Sequence, residues 1–296
     1  MKNDLLSVVI PSRNDIYLQK TIDDLLDKAE GEIEVVVVLD GYQPQIPLRE
    51  DLRVLVLHHG SIHNNLGMRP GINKGVAVSH GDYIMKIDEH CMVDKGFDLK
   101  LKADCEDNWL VAPRMFGLNA ESWEVSGGKN PYVDNMFFSY PYLNFRPWNA
   151  WTYYHKDILI DDCLGFAGSC YFMSRKHWSW LGGLDDKNYG KFHYESQEIC
   201  LKTWLGGGRV VTNKKTWYAH WYRRAKGYGF TRSQYHEMDN NKRVVSGYVH
   251  DYWPNNRWDK RVHDFEWLIE RFWPVQTWPS DWKQRLTNEG VIKNET

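Results

Sequence analysis

The hydrophobic positions of the first hundred residues fall into short continuous runs separated by longer periodic stretches. Leu6–Pro11 (LSVVIP) and Ile33–Asp40 (IEVVVVLD) are β-branched runs that end in polar residues. Such runs predict strands buried on both faces of a parallel sheet, because a strand with one wet face would alternate. Between them, Asp15–Lys28 places Ile16, Leu18, Ile22, Leu25 and Leu26 at mostly helical spacing. Val54–His58 predicts a third strand after a loop containing Pro44 and Pro47. Pro70–Ser79 predicts a helix, and Tyr83–Ile87 a strand that runs out into Asp88-Glu89-His90. Strand, helix, strand at this rhythm is an α/β sheet with right-handed crossovers. Ligands of such sheets gather at the carboxyl ends of the strands. Ser12–Asn14, Asp40-Gly41 and Asp88–His90 all fall there.

From about Trp109 the pattern is less regular. Ser126–Trp151 is rich in Gly, Pro and aromatics, and reads either as an acceptor-facing surface or as a wrapped loop. In Cys163–Ser174 (CLGFAGSCYFMS) small residues lead into a strand. Tyr194–Leu205 predicts a helix, and Val210-Val211 and Thr216–His220 the last sheet strands. The tail from about Gly247 carries Trp253, Trp258, Trp267, Trp273, Trp278 and Trp282. Asp264–Arg271 is helical in pattern, and Pro274 and Pro279 stop any long continuation.

Composition narrows the class. A chain of 296 residues suits one large domain or two modest ones. With 37 Lys and Arg against 39 Asp and Glu, its net charge of −2 exerts no global pull on nucleic acid or anionic membrane. No window approaches eighteen uninterrupted apolar residues, so no bilayer span is expected. The opening MKNDLLSVVIPSRND runs directly into a strand and does not read as a signal peptide. Cys91, Cys105, Cys163, Cys170 and Cys200 are odd in number and lack CxxC spacing. That argues against a disulfide framework or thiolate zinc site and for a reducing compartment. The 15 Trp and 17 Tyr are either core or a means of stacking sugar and base rings.

Asp88-Glu89-His90 is the sharpest local signal for chemistry. A carboxylate and an imidazole two residues apart beyond a strand can face one divalent cation, and oxygen plus nitrogen ligands suit Mn²⁺ better than Ca²⁺. The triplet also reads as a polar loop with an N-cap Asp. His220 (YAHWYRR) ends a late strand and is either a third ligand or a structural histidine. From Ile199 to His236, Lys202, Arg209, Lys214, Lys215, Arg223, Arg224, Lys226 and Arg232 occur with no Asp or Glu among them. This segregation suits a diphosphate or a nucleic-acid backbone, or is a solvated face. Gly227 and Gly229, interleaved with Tyr228 and Phe230, suit a mobile lid. Glu195 and Glu198 share a helix face and either act on a sugar hydroxyl or complement the helix dipole. Gly168-Ser169 before a strand permits close approach to a ligand, or is an ordinary turn.

In this order, the segments resemble a nucleotide-sugar glycosyltransferase of the GT-A fold. LSVVIPSRND is similar to the opening strand of the large family 2 group of such enzymes. EVVVVLDG is similar to their second strand, whose terminal Asp contacts the nucleobase, and LGMRPGINKGVAVSHGDYIMKIDEH to the helix and strand leading into the metal motif. The resemblance covers roughly residues 5–232. Later motifs are most similar to the polypeptide N-acetylgalactosaminyltransferases, which use Asp-x-His where most relatives have Asp-x-Asp. IDEHC, FAGSCYF and HYESQE match in turn, although the paired Gly before the first Glu is absent here. His220, Arg223 and Tyr228 match a metal-binding His followed by an Arg three on and a Tyr eight on.

The resemblance implies a Rossmann-like sheet over residues 1–235 as the catalytic domain. Residues 236–296 are then a Trp-rich, partly helical extension packed on it. It implies Mn²⁺ or Mg²⁺ held by Asp88, His90 and His220, beside Glu89, and a UDP-sugar donor. Arg223 and Tyr228 would bind the phosphates. Pro11, Ser12, Arg13, Asn14, Asp40 and Arg69 would hold the base and ribose, and Gly168 and Ser169 would line the donor side. Glu195 would orient the sugar, with Glu198 as a displaced base or none. Inverting relatives place an Asp directly after the first acid, where this chain has Ser196, so retention is expected. The acceptor is a saccharide, a protein side chain or a hydroxymethylated base in DNA; oligomeric state stays open. Lacking a membrane anchor and a C-terminal lectin-like domain, the chain is expected to be a cytoplasmic enzyme of a bacterium or virus-infected cell. A non-catalytic binding protein on a degenerate scaffold and a nucleotidyltransferase are the readings of other classes.

Overall fold

The computed structural model describes residues 4–13, 15–61, 63–128, 131–222 and 232–293, without the side chains of 232–238. Asn14, Arg223 and Tyr228 therefore lie outside the described residues. β1 (Leu6–Ser12), buried along its whole length, is the centre of a parallel block. It pairs on one side with β2 (Ile33–Asp40), which pairs in turn with β3 (Val54–His59), and on the other with β4 (Tyr83–Ile87). The crossovers are α1 (Leu18–Lys28) and α2 (Met68–Val78). Val9, Val36 and Val38 point to one apolar layer, and Val8, Ile10, Val35 and Val37 to the other. Burial on both faces is what makes these strands read as continuous apolar runs.

The second half of the sheet comes from later in the chain. β5 (Cys91–Val93) and α3 (Phe97–Ala103) follow β4, then β6 (Trp109–Asn119) and the short β7 (Glu124–Ser126). The expected loop over Ser126–Trp151 holds a hairpin, β8 (Met136–Ser139) with β9 (Asn144–Pro147), and α4 (Asn149–Tyr154) begins at its end. β10 (Ile160–Asp162), β11 (Cys170–Ser174), α5 (Arg175–Leu181), α6 (Glu195–Leu205) and β12 (Arg209–His220) complete the unit. The order across the sheet is β10-β12-β6-β11-β4-β1-β2-β3, with β11 antiparallel to both neighbours. β12 is one strand rather than two, with a register shift against β6 between Asn213 and Trp217. β5 turns back from the Asp88–His90 loop and pairs with the end of β12, setting Cys91 opposite His220.

The tail forms α7 (Arg232–Tyr252), α8 (Phe265–Arg271) and α9 (Trp282–Asn288). The boundary expected between residues 235 and 236 falls inside α7. Trp253, Trp258, Trp278 and Trp282 are buried in the same apolar layer as Val9 of β1 and Ile72 of α2. Their rings are core, so they offer no stacking surface for a base or sugar. Among the described residues, no helix is long and apolar enough to cross a membrane.

Candidate active site

A cavity of about 500 Å³ opens at the carboxyl ends of β1, β2, β4 and β12. Pro11, Ser12, Arg13, Asp40, Asp88, Glu89, His90 and His220 line its floor; Asn240, Asn241 and Val244 of α7 form part of a wall. The topology explains why residues 130 positions apart meet here. β4 delivers Asp88 to His90, and β5 then carries the chain alongside β12, whose last residue is His220.

His90 Nε2 lies 3.1 Å from His220 Nε2, which lies 3.3 Å from an Asp88 carboxylate oxygen. One ligand atom from each of the three residues lies within 4.8 Å of the others. Bonds of about 2.1 Å at tetrahedral or octahedral angles put neighbouring ligand atoms about 3.0–3.4 Å apart. The observed spacings match those edges, so two imidazoles and a carboxylate fit a borderline divalent cation. Burial holds His220 down at about 4 and lowers His90, leaving both imidazoles neutral with a lone pair to offer. Burial alone would raise the Asp88 carboxyl, but the adjacent Lys86 ammonium and His220 outweigh it and hold it well below the usual range. Lys86 is buried, bonds the Asp88 carboxylate and donates to the Gly168 carbonyl at 2.7 Å. Glu89 is pushed up to about 7 by burial, against the pull of His90, Ser12 and the Arg13 N–H.

At the β1–β2 end, Ser12 bonds both Tyr42 and Glu89, and the Arg13 N–H donates to Glu89 at 2.7 Å. Asp40 accepts from the N–H groups of Leu66 and Gly67, each at 2.8 Å, and Arg13 reaches its carbonyl at 2.9 Å. Asp40 therefore braces the entry to α2 while lining the cavity. Gly67 sits at φ +103, and a Cβ there would strike the Lys191 backbone.

Four sequence expectations require correction. Arg69 and Glu198 do not line the cavity: both side chains are fully buried and paired with each other, and Lys202 bonds Glu198 at 2.6 Å. Arg69 also donates to the His193 carbonyl at 2.8 Å and lies 4.3 Å from the centre of the Tyr189 ring. The pair holds the turn into α6, where His193 and Tyr194 adopt φ of 81° and 59° in place of the absent glycines. Gly168 and Ser169 also stay behind the floor. Ser169 accepts the Asp88 N–H at 2.9 Å and bonds the Tyr218 hydroxyl at 2.7 Å, while a Cβ on Gly168 would press Ser196. Glu195 starts α6, and its Oε1 is buried with no hydrogen-bond partner among the described residues.

Among the described residues, the basic stretch is paired with acids, one on the same helix and three more than forty residues away. Lys202 pairs with Glu198, Arg209 with Asp162, Lys214 with Asp161 and Lys215 with Asp104. Asp15, Lys86 and the α7 residues were missed. Lys86 alone had a legible signal, a single charge inside the apolar strand YIMKI.

The family model for glycosyl transferase family 2 matches residues 7–177, more than half of the chain. A putative polypeptide N-acetylgalactosaminyltransferase 13 of Drosophila melanogaster is 23% identical, over 98% of this chain and 59% of its own length. A probable N-acetylgalactosaminyltransferase 7 of Caenorhabditis elegans is 24% identical over 83% of the chain and 44% of its own. The chain thus spans about half the length of these curated relatives. Among solved structures, GalNAc-T7 with UDP, GalNAc and Mn²⁺ superposes with a TM-score of 0.65 at 18% identity, over 97% of this chain and 55% of that one. S. aureus TarS 1–349 with UDP-GlcNAc gives 0.51 at 15% identity, over 84% and 71%. The sheet shares the GT-A fold of these neighbours. The matched segment carries β1, β2 and β4, whose ends form the cavity floor, and the chain belongs to glycosyl transferase family 2.

Proposed function

We propose that this chain is a metal-dependent glycosyltransferase that moves a sugar from a UDP-linked donor to an acceptor hydroxyl with retention. The observation that carries the reading is the convergence of Asp88, His90 and His220 on the floor of a cavity that Ser12, Arg13 and Asp40 also line. Uracil and ribose occupy the Ser12–Asn14 and Asp40 side. When bound, a divalent cation at Asp88, His90 and His220 supplies a Lewis acid for the diphosphate and offsets charge on the leaving group. Arg223 and Tyr228 hydrogen-bond the phosphates and keep water from the donor. Glu195 does not itself line the cavity, but its buried Oε1 has no protein partner among the described residues, which supports it as the acid that orients a sugar hydroxyl.

Retention is supported by the acids that remain. Ser196 stands where inverting relatives have an Asp, and Glu198 is occupied by Arg69 and Lys202, so among the described residues of this turn no second carboxylate is free to deprotonate an acceptor. The names of the relatives favour an N-acetylhexosamine donor and a saccharide or protein acceptor. A hydroxymethylated base in DNA is the weaker acceptor reading, because four tail tryptophans are core and half of the basic stretch is paired. A reducing, cytoplasmic setting accords with the five free cysteines. Calorimetric titration of UDP, with GDP as control and with and without Mn²⁺, tests the donor half. Mn²⁺-dependent UDP binding is expected; no binding under either condition removes UDP from this reading.

A further inference from the structure

The two histidines at the cavity floor are held differently. His220 Nδ1 is buried with no hydrogen-bond partner among the described residues. His90 Nδ1 instead meets Asp15 Oδ2 at 2.8 Å, and the Asp15 side chain has no exposed surface. The other oxygen, Asp15 Oδ1, accepts the Tyr17 N–H at 2.6 Å. A carboxylate withdrawn from water is costly unless paired and hydrogen-bonded, and the His90 ring supplies one of the bonds that compensate it. Resting on the cation reading above, we propose that Asp15 is a positioning residue of the site: it accepts the His90 Nδ1–H and so presents the Nε2 lone pair to the cation.

The chemistry is that of an acid behind a ligating imidazole. A carboxylate cannot donate when ionised, so its bond to Nδ1 requires the proton there and leaves Nε2 bare. Neighbouring contacts fix the ring in the same sense. Thr21, one turn into α1, donates to the Glu89 carbonyl at 3.1 Å and accepts the Cys91 N–H at 3.0 Å, holding the backbone on either side of His90. The Trp221 ring stands edge-on to His90 at 5.8 Å and to Tyr17 at 5.0 Å. Asp15, Glu89 and His90 also form a cluster of possible ligand atoms. Its oxygens are engaged by Tyr17, Ser12 and Arg13, so it reads as the support of the site rather than a second one.

The test has two parts. In the metal-free, unsubstituted protein, nitrogen-15 NMR of the histidine rings reports which nitrogen carries the proton. The proposal expects Nδ1–H at His90, and Nε2–H there overturns it whether or not a cation binds. Mn²⁺ affinity is then measured by electron paramagnetic resonance for the parent, Asp15→Asn and Asp15→Ala, with circular dichroism confirming the fold. Loss of a carboxylate behind a ligating histidine typically weakens metal binding about 10- to 100-fold, and that loss is expected here. A folded variant that binds Mn²⁺ as tightly as the parent overturns the assignment. A parent that binds no Mn²⁺ overturns the cation reading and the proposal with it, an outcome separable from the tautomer result.

Discussion

Two groups of side chains near the same end of the sheet each combine an acid with basic or ligating partners. At one, Arg69, Glu198 and Lys202 close on each other and on backbone carbonyls, away from the cavity. At the other, Asp88, His90 and His220 turn ligand atoms toward shared space at the cavity floor. Tyr171, buried on β11, has its hydroxyl pushed up by burial first and then by the nearby acids Glu195, Glu198 and Asp88. The difference is one of satisfaction: the first group is complete within the protein, whereas the second leaves lone pairs facing one another. A buried polar group whose partners are all in the chain is explained by the fold, whereas one left facing open space calls for a partner from outside.

Removing one member of each group separates them most sharply. Arg69→Ala or Glu198→Ala strands a buried charge and should cost about 3–5 kcal/mol of stability in urea denaturation. His220→Ala removes a ring whose Nδ1 has no hydrogen-bond partner among the described residues, so it should cost less stability than either of these and abolish Mn²⁺-dependent UDP binding. A Glu198→Gln protein that is fully stable but catalytically dead would erase the distinction by placing that acid in the chemistry.

Acid sharpens the comparison at the histidines. His177 is buried against Thr203 at 3.0 Å, and burial holds it at about 4, as it holds His220. Both values lie below the ordinary 6.5, so the unfolded chain takes up protons first. Their stabilising contribution is complete above about pH 6.5 and is lost as pH falls through about 4. For His177 this amounts to up to roughly 3 kcal/mol. Mn²⁺ affinity should fall as pH approaches about 4, where protons compete for His220. His177→Gln should flatten the stability limb and leave Mn²⁺ affinity unchanged; an unaltered limb would remove His177 from the acid response.

The smallest effect probes the tail. Trp253 Nε1 donates to the Tyr189 hydroxyl at 2.8 Å, and Tyr189 in turn covers Arg69. Trp253→Phe should cost about 1 kcal/mol, seen as a small drop in the denaturation midpoint. No change at all would uncouple the tail from the buried pair.

Much of the fold was legible because buried parallel strands have an unmistakable pattern. Ile33–Asp40 and Tyr83–Ile87 appear with the bounds their apolar runs suggest. β6 was not legible, since Pro113 and Arg114 interrupt its apolar positions, and α7 was not, since its stripe is diluted by polar residues. In the site, motif order led to the expectation that Asp88, His90 and His220 meet, and their ligand atoms do converge. The fate of Arg69 and Glu198 was not, because a ligand-binding arginine and a buried one have the same sequence signature.

Sequence alone determined the local elements of the first half, the strand-end location of a ligand site and the family motifs, since these depend on periodicity and on short fixed spacings. Only the tertiary structure decided which carboxylates are spent within the protein, which acids take up Lys202, Arg209, Lys214 and Lys215, and that four of the tail's tryptophans are core. Those outcomes depend on what meets each side chain across 50–130 intervening residues: Arg69 finds Glu198, His90 finds His220, and Tyr189 finds Trp253. Partnership at that separation is set by sheet order and by the β5 return that brings Cys91 opposite His220. No local pattern encodes it.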